Sequence, residues 1–314
     1  MTGGAGFLGS WICDVLVKQG SKVICLDNFS SGRKDNIEHL KSFKNFRIVE
    51  HDISQSICFN DHIDIILHLA SRASPLEFSL FPIQILKANT IGTYLALEIA
   101  KKHKARLVFA SSSEVYGDPD PKHIPTPESY FGNVNPVGVR SCYDEAKRVA
   151  ETFVMAYHFQ HGVDGRIVRI HNTYGPRMRA GNVYGRVVTR FIDQALREVP
   201  LTVFGDGRQT RSFTYVTDMI IGILKMAFFP DLSGEIINLG SSEEISIIKL
   251  AKTILQLTNS NSEIEFHTLP PDDPKRRCPD VSKAERTLNW KSEISLKKGL
   301  NKTISWLKNQ QLKN

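Results

Sequence analysis

The chain has 314 residues, 41% of them hydrophobic and 23% charged, and carries a formal net charge of +7. That length buries a core large enough for one large domain or two smaller ones, and the composition is that of a globular protein. The positive charge suits anionic small molecules; no dense Lys/Arg block with interleaved aromatics points to nucleic acid, and no apolar run reaches the ~18 residues that a membrane span requires.

Cysteines at 13, 25, 58, 142 and 278 are odd in number and lack metal-ligand spacing. They read as free thiols of a reducing compartment, and with no signal peptide visible the chain is expected to be cytoplasmic. In chain order, β-branched runs predict strands at Lys22–Asp27, Phe46–His51, Ile63–Leu69, Ala105–Ser111 and Asp164–Ile170. Helix-period stretches alternate with them at Phe7–Gln19, Ile83–Lys102 and Tyr143–His161. This alternation predicts an α/β fold, a doubly wound, Rossmann-like parallel sheet with helices on both faces. After Tyr174-Gly175-Pro176 the helices shorten, and Ser212–Gly240 reads as a helix and strand returning to the sheet. Ile245–Leu312 reads as small helices around the loop PPDDPKRRCPD. The expected division is a dinucleotide-binding domain, 1–174 with 212–240, and a smaller mixed α/β substrate domain, 175–211 with 241–314.

TGGAGFLG places Gly3, Gly6 and Gly9 at the start of the first helix, and the next strand ends at Asp27. Glycines let a backbone approach a pyrophosphate seated on a helix N-terminus, and an acidic residue about 20 positions on binds adenosine ribose hydroxyls. The negative charge of Asp27 favours NAD over NADP, although Arg33 and Lys34 stand near enough in sequence to pair with a 2′-phosphate. Only Met1 and Thr2 precede the glycines, so the central strand that should lead into them is expected to be missing, by truncation or by loss of a sheet member.

Tyr143 and Lys147 are four apart and share one helix face. A free tyrosine, with a pKa near ~10, is a poor base; a neighbouring ammonium favours its phenolate. Ser111-Ser112-Ser113-Glu114 ends a buried strand, where ligands bind in open parallel sheets.

TGGAGFLG, DNFSSGRK, HLAS, SSSEVYGD, YDEAK, RIHNTYGPRM and GDGRQTRSFTYVTD follow in that order, and the chain resembles the extended short-chain dehydrogenase/reductase (NAD-dependent epimerase/dehydratase) family. YFGNVNPVGVRSCYDEAKRVAE, Tyr130 to Glu151, is similar to the UDP-glucuronate decarboxylases (UDP-xylose synthases), and the likeness runs from Thr2 to about Trp306. It implies bound NAD, no metal, and a homodimer formed through the helices Ile83–Lys102 and Tyr143–His161. It also implies oxidation of UDP-glucuronate at C4 by Tyr143 with Lys147 and Ser112, loss of carbon dioxide aided by Glu114 and Arg211, and re-reduction to UDP-xylose.

Carried over residue by residue, the cofactor contacts are Gly3, Gly6, Phe7, Leu8, Gly9, Asp27, Asn28, Ser31, Gly32, Asp52, Ile53, Leu69, Ser71, Ala110, Tyr143, Lys147 and Thr173. The UDP-sugar contacts are Lys87, Ser113, Asn172, Arg186, Arg211 and Arg277, the last preferred to Arg276. Departures from the pattern are Arg72, Val139, Ala146 and a slightly longer loop Arg177–Arg186. Three other readings stand beside this one: release of the 4-keto pentose, a UDP-sugar 4-epimerase or dehydratase, and a catalytically silent NAD or UDP-sugar binding protein.

Overall fold

A computed structural model describes residues 1–180, 186–270 and 272–312. In chain order its first elements are α1 (Phe7–Lys18), β1 (Val23–Asp27), β2 (Phe46–Glu50), β3 (Ile65–His68), α2 (Pro75–Leu80), α3 (Pro82–Asn89), α4 (Ile91–His103), β4 (Arg106–Ser112), α5 (Ser141–His161) and β5 (Gly165–Ile170). There follow β6 (Thr173–Tyr174), α6 (Val187–Leu196), β7 (Leu201–Phe204), β8 (Thr210–Ser212), β9 (Thr214–Tyr215), α7 (Val216–Phe228) and β10 (Ile236–Leu239). The chain closes with β11 (Glu244–Ser246), α8 (Ile247–Thr258), β12 (Ile264–His267), β13 (Arg276–Arg277), α9 (Ser282–Leu288) and α10 (Leu296–Gln311). The chain divides into two compact units: Met1–Val115 with Arg140–Arg169 and Ile220–Ile237, and Tyr116–Val139 with Ile170–Met219 and Asn238–Asn314.

The first unit is built on parallel strands. β1 pairs with β2 in the register Val23↔Phe46, and β3 pairs with β4 in the register Ile65↔Arg106. The order β10-β5-β4-β3 brings the late strand back beside β5, as the sequence predicts. Near-continuous apolar strands suit a sheet covered on both faces. Ile66, Leu107, Phe109 and Ile167 pack with Ala96, Leu97, Ala100, Ala150 and Val154 of α4 and α5 in one core cluster. Full burial of each larger side chain contributes about 1.5–3 kcal/mol. Arg166, 1% exposed, binds both oxygens of Asp164 and donates to the carbonyls of Met226 and Phe229, which ties β5 to the end of α7.

The expected gap at the sheet centre is largely there, with one correction. Thr2 forms parallel bridges to both Leu26 and His68. Its N–H donates to the Leu67 carbonyl at 3.0 Å, and Gly3 N–H donates to the Leu26 carbonyl at 2.8 Å. Met1 also donates to the Ile24 carbonyl at 3.0 Å and accepts from Leu26 N–H at 2.8 Å, so the three residues Met1 to Gly3 stand where a strand was expected to be wholly missing.

The helix expected over Ile83–Lys102 is two helices. Asn89 turns its amide to Ser71 Oγ, and Thr90, at φ −97° and ψ −71°, bends the chain between them. Side chains of this kind compete with the helix backbone for hydrogen bonds.

In the second unit β7 pairs in parallel with β12, β8 lies between antiparallel β11 and parallel β13, and β6 pairs with β9. α6, α8 and α10 pack together in the same unit. The stretch 245–312 therefore carries strands β11, β12 and β13, which its helical reading omitted, and α10 runs for 16 residues. Strands of two to four residues are too short to show a period of two. Among the described residues no helix is long and apolar enough to cross a membrane.

Candidate active site

The glycine turn forms a tight cradle at the N-terminus of α1. A Cβ on Gly9 would lie 2.1 Å from the Gly3 carbonyl oxygen, and Gly3 itself has φ +67° with Ala70 and Leu69 backbone at 2.8–2.9 Å. Glycine is required at both positions, one for space and the other for conformation as well. Gly6, Phe7 and Leu8 follow at the helix start, whose free N–H groups favour an anion.

Asp27, at the end of β1, accepts from Ala5 N–H and Phe29 N–H, each at 2.9 Å. Burial pushes its carboxyl above the usual range, against the lowering effect of those two donors. Gly32 packs on it so closely that a Cβ would meet the carboxylate oxygens at 2.8–2.9 Å. Asn28 binds Asp52 at 3.0 Å, Ile53 is buried under Gly92, and Ser31, Leu69 and Ser71 are half-buried. Arg33 and Lys34 are exposed and paired with Asp35 and Glu50, so each already meets a carboxylate.

Tyr143 and Lys147 lie on the first turns of α5, 5% and 2% exposed. Lys147 Nζ sits 5.6 Å from the Tyr143 ring centre and 4.6 Å from that of Phe109, and donates to the Ala110 carbonyl at 2.6 Å. Burial lowers Lys147 to about 7, with the charge of Glu151 opposing. The Tyr143 ring stacks on Phe78 at 5.0 Å, which fixes its plane. Ser112 and Ser113 are buried at the end of β4, and Glu114 N–H donates to Ser112 Oγ at 3.3 Å. Glu114 is ion-paired with Arg140, the residue preceding α5, so the ends of β4 and α5 are tied across the candidate catalytic set.

Sequence reasoning missed three supports of this set. Arg140 is one. The others are Glu151 and Arg169: Glu151 accepts from Ser111 Oγ at 2.6 Å and from two nitrogens of Arg169 at 2.9 and 2.7 Å. The signal was present as a polar residue at i+4 from Lys147 on a buried helix face. Lys87 is exposed on α3.

The second unit gathers the remaining residues. Arg211, on β8, pairs with Asp273 at 2.9 Å and donates to the Thr210 carbonyl at 2.8 Å. Its cross-strand partner is Arg277, 4% exposed, which donates to the Gly117 carbonyl at 3.3 Å. Arg276 points away to Glu244 at 2.6 Å and is exposed. Asn172 is half-buried and donates to the Ser212 carbonyl at 3.4 Å. Thr173 is buried and bonded to the His171 carbonyl. Arg186 precedes α6, and its carbonyl accepts from Thr189 Oγ1 and Arg190 N–H. Of the longer loop expected at Arg177–Arg186, residues 181–185 lie outside the described residues.

A profile of the NAD dependent epimerase/dehydratase family matches residues 1–240. The chain is 47% identical over 310 residues to UDP-glucuronic acid decarboxylase 1 of Xenopus tropicalis, an alignment spanning 99% of this chain and 72% of that protein. It is 46% identical over 312 residues to UDP-glucuronic acid decarboxylase 1 of Arabidopsis thaliana, covering 99% and 70%. The fold superposes with a TM-score of 0.86 on UDP-glucuronic acid 4-epimerase of Bacillus cereus, solved with UDP-glucuronic acid and NAD, at 29% identity over 98% of both chains. This chain belongs to the NAD dependent epimerase/dehydratase family.

Proposed function

We propose that this chain is a carboxy-lyase that uses bound NAD to convert UDP-glucuronate to UDP-xylose. The observation that carries the reading is the tyrosine and buried lysine at the start of α5, tied through Arg140 to Glu114 at the end of β4. The relatives' names supply the substrate.

The cradle of Gly3 and Gly9, with Asp27 beyond it, fits a dinucleotide: side chains are excluded where a pyrophosphate would lie, and a carboxylate stands where ribose hydroxyls would be. NAD, when bound there, would supply a hydride acceptor for C4 and, in its reduced form, a hydride donor. Tyr143 takes the C4 hydroxyl proton, and Ser112 shares that proton through its hydroxyl. The Lys147 ammonium beside Tyr143 favours its phenolate. With C4 a ketone, the C5 carboxylate is β to a carbonyl and leaves as carbon dioxide, its electrons drawn into the ketone; C5 then takes up a proton from solvent, which restores the ketone for re-reduction. Arg211 orients the carboxylate, and Glu114 assists its departure. Arg277, Asn172, Lys87, Ser113 and Arg186 bind the UDP-sugar. The first unit is assigned chiefly to the cofactor, with Lys87 and Ser113 as its sugar contacts, and the second chiefly to the UDP-sugar, with Thr173 as its cofactor contact.

A homodimer is part of the same reading. Ile83, Ile91, Tyr94 and Val149 are 42–58% exposed on α3, α4 and α5, more apolar surface than one unit's helices need to show. The cytoplasm is the compartment that suits the free thiols, four of them buried.

The test is incubation of purified protein with UDP-glucuronate and NAD, following carbon dioxide and the mass of the nucleotide sugar. Carbon dioxide with UDP-xylose is the expected result. The 4-keto pentose would revise the last step, and a folded, NAD-loaded protein that releases no carbon dioxide would overturn the assignment.

A further inference from the structure

Arg72 is a departure from the family resemblance, and it makes more contacts than a surface arginine needs. It follows Ser71 in the segment after β3. Its Nη2 donates to the Ser30 carbonyl at 2.7 Å, and its Nη1 pairs with Glu77 at 2.5 Å. Its guanidinium lies 4.2 Å from the centre of the Phe81 ring. Glu77 is only 3% exposed, so the anchor on α2 is buried. A guanidinium is planar and presents several donors at fixed angles, which lets one side chain hold two partners at once.

Ser30 and Arg72 itself lie on different segments of the proposed cofactor site, and Glu77 anchors the guanidinium from α2. Ser30 belongs to the turn that follows Asp27, itself fixed by Asn28, whose side chain accepts from Ser30 N–H at 3.1 Å and donates to Asp52 at 3.0 Å. Ser71, next to Arg72, is held by Asn89 at 3.0 Å. Arg72 therefore fastens the turn after β1 to the segment after β3, 42 residues away in sequence.

We propose that Arg72 is a positioning residue, a strap that pre-forms the adenosine side of the NAD site and keeps one cofactor molecule bound from C4 oxidation to re-reduction. The inference rests on the reading that this cradle holds NAD. The reaction has no net oxidation: the substrate loses a hydride and a proton at C4, exchanges carbon dioxide for a proton at C5, and regains the hydride and a proton at C4. If NADH departs first, the balance closes as 4-keto pentose, carbon dioxide and free NADH. A turn already fixed in its bound shape loses less freedom on binding, so the strap slows that departure.

The experiment compares wild type with Arg72→Ala, Arg72→Lys and Glu77→Gln, each stripped of nucleotide. It measures the Kd for NAD and for UDP by calorimetry, the unfolding temperature without ligand, and the ratio of keto pentose to UDP-xylose. Arg72→Ala is expected to raise the NAD Kd about tenfold, as loss of a charge-assisted hydrogen bond does, with UDP affinity unchanged and more keto pentose formed. Arg72→Lys keeps the charge but not the two-pronged geometry and is expected to resemble Arg72→Ala. Glu77→Gln is expected to give a smaller rise. An Arg72→Ala Kd for NAD within twofold of wild type overturns the strap. So does a joint loss of NAD and UDP affinity with a lowered unfolding temperature, which marks a purely structural contact. Wild-type protein without measurable NAD affinity overturns the cofactor reading itself.

Discussion

Lys147 of the first unit and Arg211 of the second are held in opposite ways. In the first, Lys147 is buried and bonded to a carbonyl, while the nearby carboxylate of Glu151 is occupied by Arg169 and Ser111. In the second, Arg211 and Arg276 are each matched to a carboxylate, Asp273 and Glu244. Pairing fixes a charge; burial without a direct counter-ion leaves it free to come and go near neutral pH. The contrast suits a division of labour in which the first unit moves protons and the second holds anions.

The largest effect that would sharpen this contrast is at Tyr143. Tyr143→Phe removes the hydroxyl and keeps the ring stacked on Phe78, so turnover is expected to fall by about 10²–10⁴-fold with the unfolding temperature little changed. Carbon dioxide release under saturating substrate checks it. A rate within tenfold of wild type would remove Tyr143 from proton transfer.

Next is Arg211→Gln, which deletes the fixed charge and leaves Asp273 without its partner. KM for UDP-glucuronate is expected to rise about 10–100-fold, the worth of a charge-assisted hydrogen bond. A fall in turnover at unchanged KM would place Arg211 with the chemistry instead.

The remaining two probe the titrating cation. Burial places Lys147 at about 7 in the folded state, below its ordinary lysine value. Below that pH the folded chain carries a buried charge, a cost that shrinks as pH rises and the unfolded chain alone keeps the proton. Lys147→Met is therefore expected to raise the unfolding temperature by several degrees at pH 6 and by less at pH 9. Equal gains at both pH values would show that the lysine does not titrate there.

Smallest is Glu151→Gln. The Glu151 charge raises Lys147, so its removal lets the ammonium deprotonate at lower pH. The alkaline limb of kcat/KM is expected to move down in pH; an unmoved limb would detach Glu151 from Lys147. Some loss of stability is also expected, because Arg169 loses its counter-charge.

The same contrast explains what could be read in advance. β4 and α5 are long, regular and apolar on their inner faces, so Ser112, Tyr143 and Lys147 stood out by position on them. Arg211 and Arg277 lie on strands of three and two residues, too short for any period, and emerged only from the resemblance. Arg140, Glu151 and Arg169 were missed because their importance lies in which distant residue each one meets, and spacing along a chain reports only near neighbours. The glycine turn was legible from its own residues, but Thr2 as a bridge was not, since one residue has no pattern.

That bridge has a consequence for motion. β1 and β2 form one ribbon and β3, β4, β5 and β10 another, with Met1 and Gly3 hydrogen-bonded to β1 and Thr2 to the end of β3. A ladder joined at one rung opens there at lower free energy than along its paired strands. Amide deuterium exchange is expected to begin at Gly3 and Leu69 and to spread through the β1–β2 ribbon before β4 and β5 respond. A dinucleotide seated on the glycine turn would bind the closed form, so ligand binding would suppress this local opening.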